Sequence, residues 1–90
     1  MNRTKLNIKM DLLRVAKTAL DLKNPFNTTV ADVFIDKAKL EFENNLQNDM
    51  ELKKELVAYQ NQMLNIANDN LQRIRWGEKV MTLASRLGTI

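Results

Sequence analysis

Apolar and polar residues alternate cleanly in one place, the segment Arg3 to Met10, Arg-Thr-Lys-Leu-Asn-Ile-Lys-Met. As an extended strand it would turn Leu6, Ile8 and Met10 to one side and Lys5, Asn7 and Lys9 to the other. No other segment offers a strand to pair with it, and a lone strand leaves its ladder N–H and C=O groups unmet. The alternation therefore predicts a strand that pairs with the same strand of a second copy. Leu6, Met10 and Leu13 also stand at i, i+4 and i+7, so the same residues fit the first turns of one helix over about residues 5–23. In that alternative Lys5, Asn7 and Lys9 are ordinary solvated positions.

Beyond Met10 the period becomes helical. Leu12, Val15, Ala16, Ala19 and Leu20 predict a helix over about 11–23, with Asp11 as its N-cap and Asn24-Pro25 as its stop. Asn27 or Thr28 can cap a second helix reaching about residue 46. Phe26 would fold back on its first turns, and Val30, Val33, Phe34, Ala38 and Phe42 would form its apolar stripe. The Asn-rich run 44–49 predicts a break, with Asn48 and Glu51 spaced as a capping box. From Met50 on, Leu52, Leu56, Tyr59, Met63, Ile66, Leu71 and Ile74 recur as in an amphipathic helix or a short coiled-coil seam. Val80, Met81, Ala84 and Leu87 extend that period, Gly77 is a candidate interruption, and Gly88 is a natural stop.

Composition narrows the chemistry. The chain has 90 residues, enough for one domain or a small domain with an extension, and so short a chain gains from oligomerising. With 2 Gly and 1 Pro against 44% hydrophobic residues, long helices joined by few turns are expected. There is no Cys and no His, which removes disulfides, thiolate nucleophiles, imidazole acid–base chemistry and most metal sites. Ser85 has no histidine to activate it, Glu41 and Glu43 point to different faces of a helix, and no glycine-rich phosphate loop is present. The chain is not expected to be an enzyme or to hold a cofactor or metal. Lys9, Asp11 and Arg14 interrupt any secretory apolar region, and no run reaches membrane-spanning length. A cytoplasmic protein with no membrane partner is expected.

The net charge of +3 is unevenly spread. Basic residues dominate 1–23 (Arg3, Lys5, Lys9, Arg14, Lys17, Lys23) and again 52–90, while acids dominate 24–51. Positive charge at both ends of the chain suits contact with a polyanion.

A basic and polar strand followed by two helices, the second opening on threonines, resembles the ribbon-helix-helix (MetJ/Arc superfamily) DNA-binding proteins over residues 3–46. The resemblance implies a dimer whose paired strands enter the major groove of double-stranded DNA. It implies Lys5, Asn7 and Lys9 as base readers, since lysine can donate to guanine and asparagine can pair with adenine in the groove. It also implies phosphate contacts from Arg3 and from Thr28 and Thr29 at the start of the second helix. Leu6, Ile8 and Met10 would close the ribbon over both subunits. In place of the glycine often found between the family's helices, this chain has Asn24-Pro25, and Lys37 falls on the stripe expected to be buried.

The fold expected is thus mainly α: a ribbon-helix-helix domain over 1–46 and a helical extension over 47–90, with an all-α bundle as the alternative. The extension resembles the helical tails that join such dimers into tetramers, with Leu56, Tyr59, Met63, Ile66 and Ile74 as its oligomerisation contacts. Arg73, Arg75, Trp76 and Lys79 also offer a basic amphipathic patch for a membrane surface or an acidic partner. Two functions follow. One is a small repressor, antitoxin or plasmid partition or mobilisation factor. The other is an all-helical interaction module, such as an adaptor, chaperone or phage-encoded inhibitor, that meets a protein partner through residues 50–87 without DNA.

Overall fold

The computed structural model describes residues 3–45 and 49–87. Four helices follow one another: α1 (Arg3–Leu20), α2 (Thr28–Asn45), α3 (Met50–Ile66) and α4 (Asn70–Arg86). Each packs on its neighbours in the chain, and α4 closes the ring against α1, giving a four-helix bundle with short connections.

The N-terminal strand is not formed. Arg3 to Met10 are the first turns of α1, and among the described residues there is no strand. The ribbon-helix-helix resemblance is therefore overturned, because that fold requires the strand, and the all-helical alternative holds. The physical reason lies in what the segment buries. Ile8 is fully buried with Leu12, Val15, Ala16 and Ala19, a helical stripe that continues through Met10 without a change of period. A helix satisfies its own backbone groups, whereas the strand needed a second chain. Asp11 correspondingly is no cap. It lies mid-helix, nearly buried, and accepts a hydrogen bond from Arg14 Nη1 at 2.9 Å.

The register of α2 also differs from expectation. Its core side is Ala31, Ile35, Ala38 and Phe42, whereas Val30 and Val33 are exposed. The stripe read from Val30 and Val33 is real but looks outward, and Lys37 belongs to it. Asn27 caps the helix, its Oδ1 accepting from Val30 N–H at 3.0 Å. The expected single helix from Met50 is two. Gly77 lies inside α4, and the break falls at 67–69, where Asp69 caps α4 by accepting from Gln72 N–H at 3.1 Å. The proposed cap at Asn48 and stop at Gly88 fall outside the described residues, as does the boundary drawn at 46/47.

Two residues explain why α4 settles on α1. Gly77 faces α1 so closely that an added Cβ would stand 2.8 Å from Leu20 Cγ and 2.9 Å from its Cδ2. Arg73, only 3% exposed, carries its guanidinium to the end of α1, donating to the carbonyls of Thr18, Ala19, Asp21 and Asn24 at 2.9–3.1 Å. The carbonyls of Thr18 and Ala19 are among those a helix terminus leaves without partners and carry the negative end of its dipole, while those of Asp21 and Asn24 belong to the turn that follows. The same guanidinium lies over the Phe26 ring at 5.5 Å, and Phe26 in turn packs on Trp76 with ring centroids 5.3 Å apart. Trp76 Nε1 donates to the carbonyl of Tyr59 at 2.9 Å, joining α4 to α3.

Arg73→Met should leave these carbonyls partly buried without donors and cost about 3 kcal/mol, read as a lower urea midpoint with unchanged slope. Gly77→Ala gains up to about 1 kcal/mol of helix propensity but must displace Leu20. The expected result is net destabilisation in the wild-type background and stabilisation in Leu20→Ala, an interaction visible in a double-mutant cycle.

Candidate functional site

With the interior of the bundle filled, candidate sites lie on its outer faces. The most developed is built on α1 and the two helices beside it. On α1, the residues pointing away from the core are Leu6, Met10, Leu13, Lys17 and Leu20, spaced four, three, four and three apart. On α2 they are Val30, Val33, Lys37 and Leu40, spaced three, four and three. These are the heptad spacings of a coiled-coil seam, although Leu6 is half-buried and Leu20 lies against Gly77 of α4, so the exposed members on α1 are Met10, Leu13 and Lys17. Val33 is 60% and Leu40 58% exposed, and Met10, Leu13 and Met81 each exceed 40% or reach it, so large apolar side chains stand in solvent on adjacent helices.

Two depressions flank the α1 ridge. Between α1 and α4 runs a groove of about 390 Å³ with Leu13, Ala16, Leu20 and Met81 on its walls and Lys17 and Asp21 at its edge. Its apolar character follows from Gly77, which lets Leu20 lie flat on α4. Between α1 and α2 lies a polar cleft of about 220 Å³ lined by Asn7, Met10, Asp11, Arg14, Lys37 and Glu41. Arg14 organises it: its guanidinium binds Asp11 and lies 5.5 Å above the Phe34 ring.

The other side of α2 is spent within the chain. Gln60 of α3 donates to Asp32 and Asp36 at 3.1 and 3.0 Å and accepts from Lys39 at 2.9 Å, and Lys53 reaches Glu43 at 2.6 Å. The Gln60 hydrogen bond, with help from Lys39, holds the Asp36 carboxyl below its ordinary value against the opposing effect of burial. Lys53 lowers Glu43 in the same way, and Asn24 with the Lys23 N–H lowers Asp21. On α3 and α4, Arg86 bonds Glu55 at 2.7 Å, while burial and the Glu55 charge raise the Tyr59 phenol.

The residues expected to read DNA are not brought together. Lys5 and Lys9 share one side of α1, with Lys5 3.7 Å from Asp49, whereas Asn7 lies on the α2 side and lines the polar cleft. Arg3 is exposed at the start of α1, and Thr28 and Thr29 begin α2 near the opposite end of the α1–α2 hairpin. Of the expected subunit contacts, Ile8, Leu56 and Met63 are buried in the chain's own core, Tyr59 and Ile66 pack against that core, and Leu6 and Ile74 are half-buried. Met10 alone of them is largely exposed. Leu13, Arg14, Val33, Leu40 and Met81 were not among the expected site residues, although Leu13, Val33 and Met81 were read into helical apolar periods. Their signal was present as a second heptad-spaced stripe on α1 and α2, offset from the core stripe.

Among the described residues no cluster of three or more acidic side chains could hold a metal ion, and no helix is long and apolar enough to cross a membrane. No family model, curated protein or solved structure matches the chain.

The lowered carboxyls set a pH dependence. A group whose folded pKa lies below its unfolded value stabilises the fold above the unfolded pKa and loses that contribution as pH falls through the folded one. Stability should therefore be flat near neutrality and decline below about pH 4. Gln60→Leu should return the Asp36 carboxyl toward its ordinary value in an NMR titration, and an unshifted Asp36 in that variant would contradict the assigned cause.

Proposed function

We propose that the chain is an all-helical protein-interaction module that meets its partner through the outer face of α1 and α2, continuing around α1 into the α1/α4 groove. The observation that carries this reading is the set of exposed apolar residues at heptad spacing, Met10 and Leu13 on α1 and Val30, Val33 and Leu40 on α2. These side chains lie outside the buried core cluster, and they expose apolar area to water at a cost in solubility. Two grooves beside a ridge are the shape that receives the apolar side of another helix, by the same ridges-into-grooves packing that holds the bundle together. The residues expected to provide a seam in 50–87 are mostly occupied internally, so the interaction surface moves from the second half of the chain to the first.

A photo-crosslinking residue placed singly at Leu13 or Leu40 should form protein adducts in cells, whereas the same residue at the exposed Leu64 of α3 should not. Leu13→Glu and Leu40→Glu should abolish the adducts formed at the other position while changing stability by no more than about 0.5 kcal/mol, because both sites are exposed. Adducts from Leu64 alone, or adducts indifferent to these substitutions, would exclude the face.

A further inference from the structure

The core stripes of α3 and α4 are in phase with each other. On α3 the residues turned to the core are Leu52, Leu56, Tyr59, Met63 and Ile66, spaced four, three, four and three. On α4 they include Arg73, Gly77, Val80, Ala84 and Leu87, again spaced four, three, four and three. From Ile66 to Arg73 is one further heptad, in which the exposed Asn70 is the single position of the period that the core does not occupy. Two helices joined by a turn have no need of a common phase, because each meets the core from its own side of the turn. A common phase matters when the two are one helix, whose core side must then lie along one face.

The connection between them is built to straighten. Residues 67–69 are Ala, Asn and Asp, with neither glycine nor proline and no positive φ. Ala67 is still helical, at φ −63° and ψ −26°, and Asp69 turns the chain, at φ −119° and ψ 113°. What holds Asp69 there is local: its Oδ1 accepts from Gln72 N–H, and its own N–H donates to the Ile66 carbonyl at 3.2 Å. Rotated into the helical region, it would let the last carbonyls of α3 and the first N–H groups of α4 bond one another. The turn of residues 21–27 offers no such route, since it contains Pro25 and is held by Arg73 through the Asp21 and Asn24 carbonyls and the Phe26 ring.

We infer that the hinge at 67–69 opens to form a domain-swapped dimer, in which α3 and α4 are one helix of about 37 residues, roughly 55 Å long, and α4 closes the bundle of a second copy. The in-phase stripe then turns its first half to its own α1 and α2 and its second half to those of the other copy, from a single face. Every contact that seats α4 recurs between copies, with Arg73 on the carbonyls of Thr18, Ala19, Asp21 and Asn24 and Gly77 on Leu20. The occupant is a second copy because this chain carries the α4 that the seat fits. Dilute chains remain closed, since the tethered α4 is always nearer than that of another copy. This interface is the core seam itself and is independent of the exposed face on α1 and α2.

The absence of cysteine allows spin labels at Lys54→Cys and Ser85→Cys, both exposed positions. In the closed bundle the Glu55–Arg86 pair keeps these positions near each other, whereas on one straight helix they stand roughly 46 Å apart. Doubly labelled protein is mixed with excess unlabelled chain in urea and refolded at high chain concentration, and the dimer is isolated by size exclusion. Pulsed EPR then reads the distance within one chain. The dimer is expected to show the long distance and the monomer the short one. Asp69→Ala, which removes the cap, should raise the dimerisation constant roughly tenfold or more, because two hinges open per dimer. Asn70→Pro, verified as folded by circular dichroism, should abolish the dimer. Proline suits the first position of α4 and the extended Asp69 before it, but not the interior of a continuous helix. Refolding to monomer alone in both wild type and Asp69→Ala, a dimer with only the short distance, or a dimer that persists in Asn70→Pro would each overturn the inference. A short-distance dimer lost in Val33→Glu/Leu40→Glu would place the second copy on the outer face of α1 and α2 instead.

Discussion

The contact on which the rest of the bundle depends is the Arg73 guanidinium against the end of α1. A buried cation is tolerated only when its donors are matched, and here one planar group meets carbonyls from Thr18, Ala19, Asp21 and Asn24. It sits where two helix ends meet. The charge answers the negative end of α1, while Asp69 caps the N–H groups at the start of α4, so neither terminus is buried unsatisfied. Phe26 is held between Arg73 and Trp76, and the turn of residues 21–27 is thereby fixed from above. The direction of α2 as it leaves that turn, and with it the exposure of Val33 and Leu40, follows from this placement.

The seams of the bundle differ in character. The α1/α4 seam is close because Gly77 has no Cβ and is tied at one end by Arg73, whereas the α2/α3 seam is tied by Gln60, Lys39 and Lys53 to the acids of α2. This division accounts for the face on α1 and α2. Asp32, Asp36 and Glu43 of α2 are drawn to α3, Asp11 is drawn beneath Arg14, and Val33 and Leu40 are left on the outer side of α2.

Much of the helical content was legible in the sequence. The core stripe of α1, the Asn27 cap and the buried set Leu52, Leu56 and Met63 follow from period and capping chemistry. Three features were not. Over a short segment, Leu6, Ile8 and Met10 satisfy a period of two while Leu6, Met10 and Leu13 satisfy a helical one, and the structure uses the helix but turns the latter stripe outward. On α2, Val30 and Val33 are more hydrophobic than Ala31, which misplaces the core side by about one residue. The interior of a closely packed bundle favours the small Ala31 and Ala38, and size complementarity between helices is not encoded in local pattern. The break at 67–69 was announced by Asn68, Asp69 and Asn70 but masked by Leu71 and Ile74, which continued the period across it. The candidate face was hidden for a related reason. Apolar periodicity reads as core, and nothing local distinguishes a stripe reserved for another chain.

The Arg73 contact has a consequence for how the chain reaches this structure. It joins residues 54 and 55 positions apart, Ala19 and Thr18 to Arg73, and the helix pair it secures is the first and the last. Helical bundles usually fold quickly because their contacts are local. Here the α1–α2 and α3–α4 hairpins can form from nearby residues, but the end of α1 is not sealed until nearly the whole chain has been wrapped around. Until that ring closes, Gly77, Leu20 and the outer apolar stripes are exposed together, so the slowest step of folding and the greatest hazard of self-association coincide.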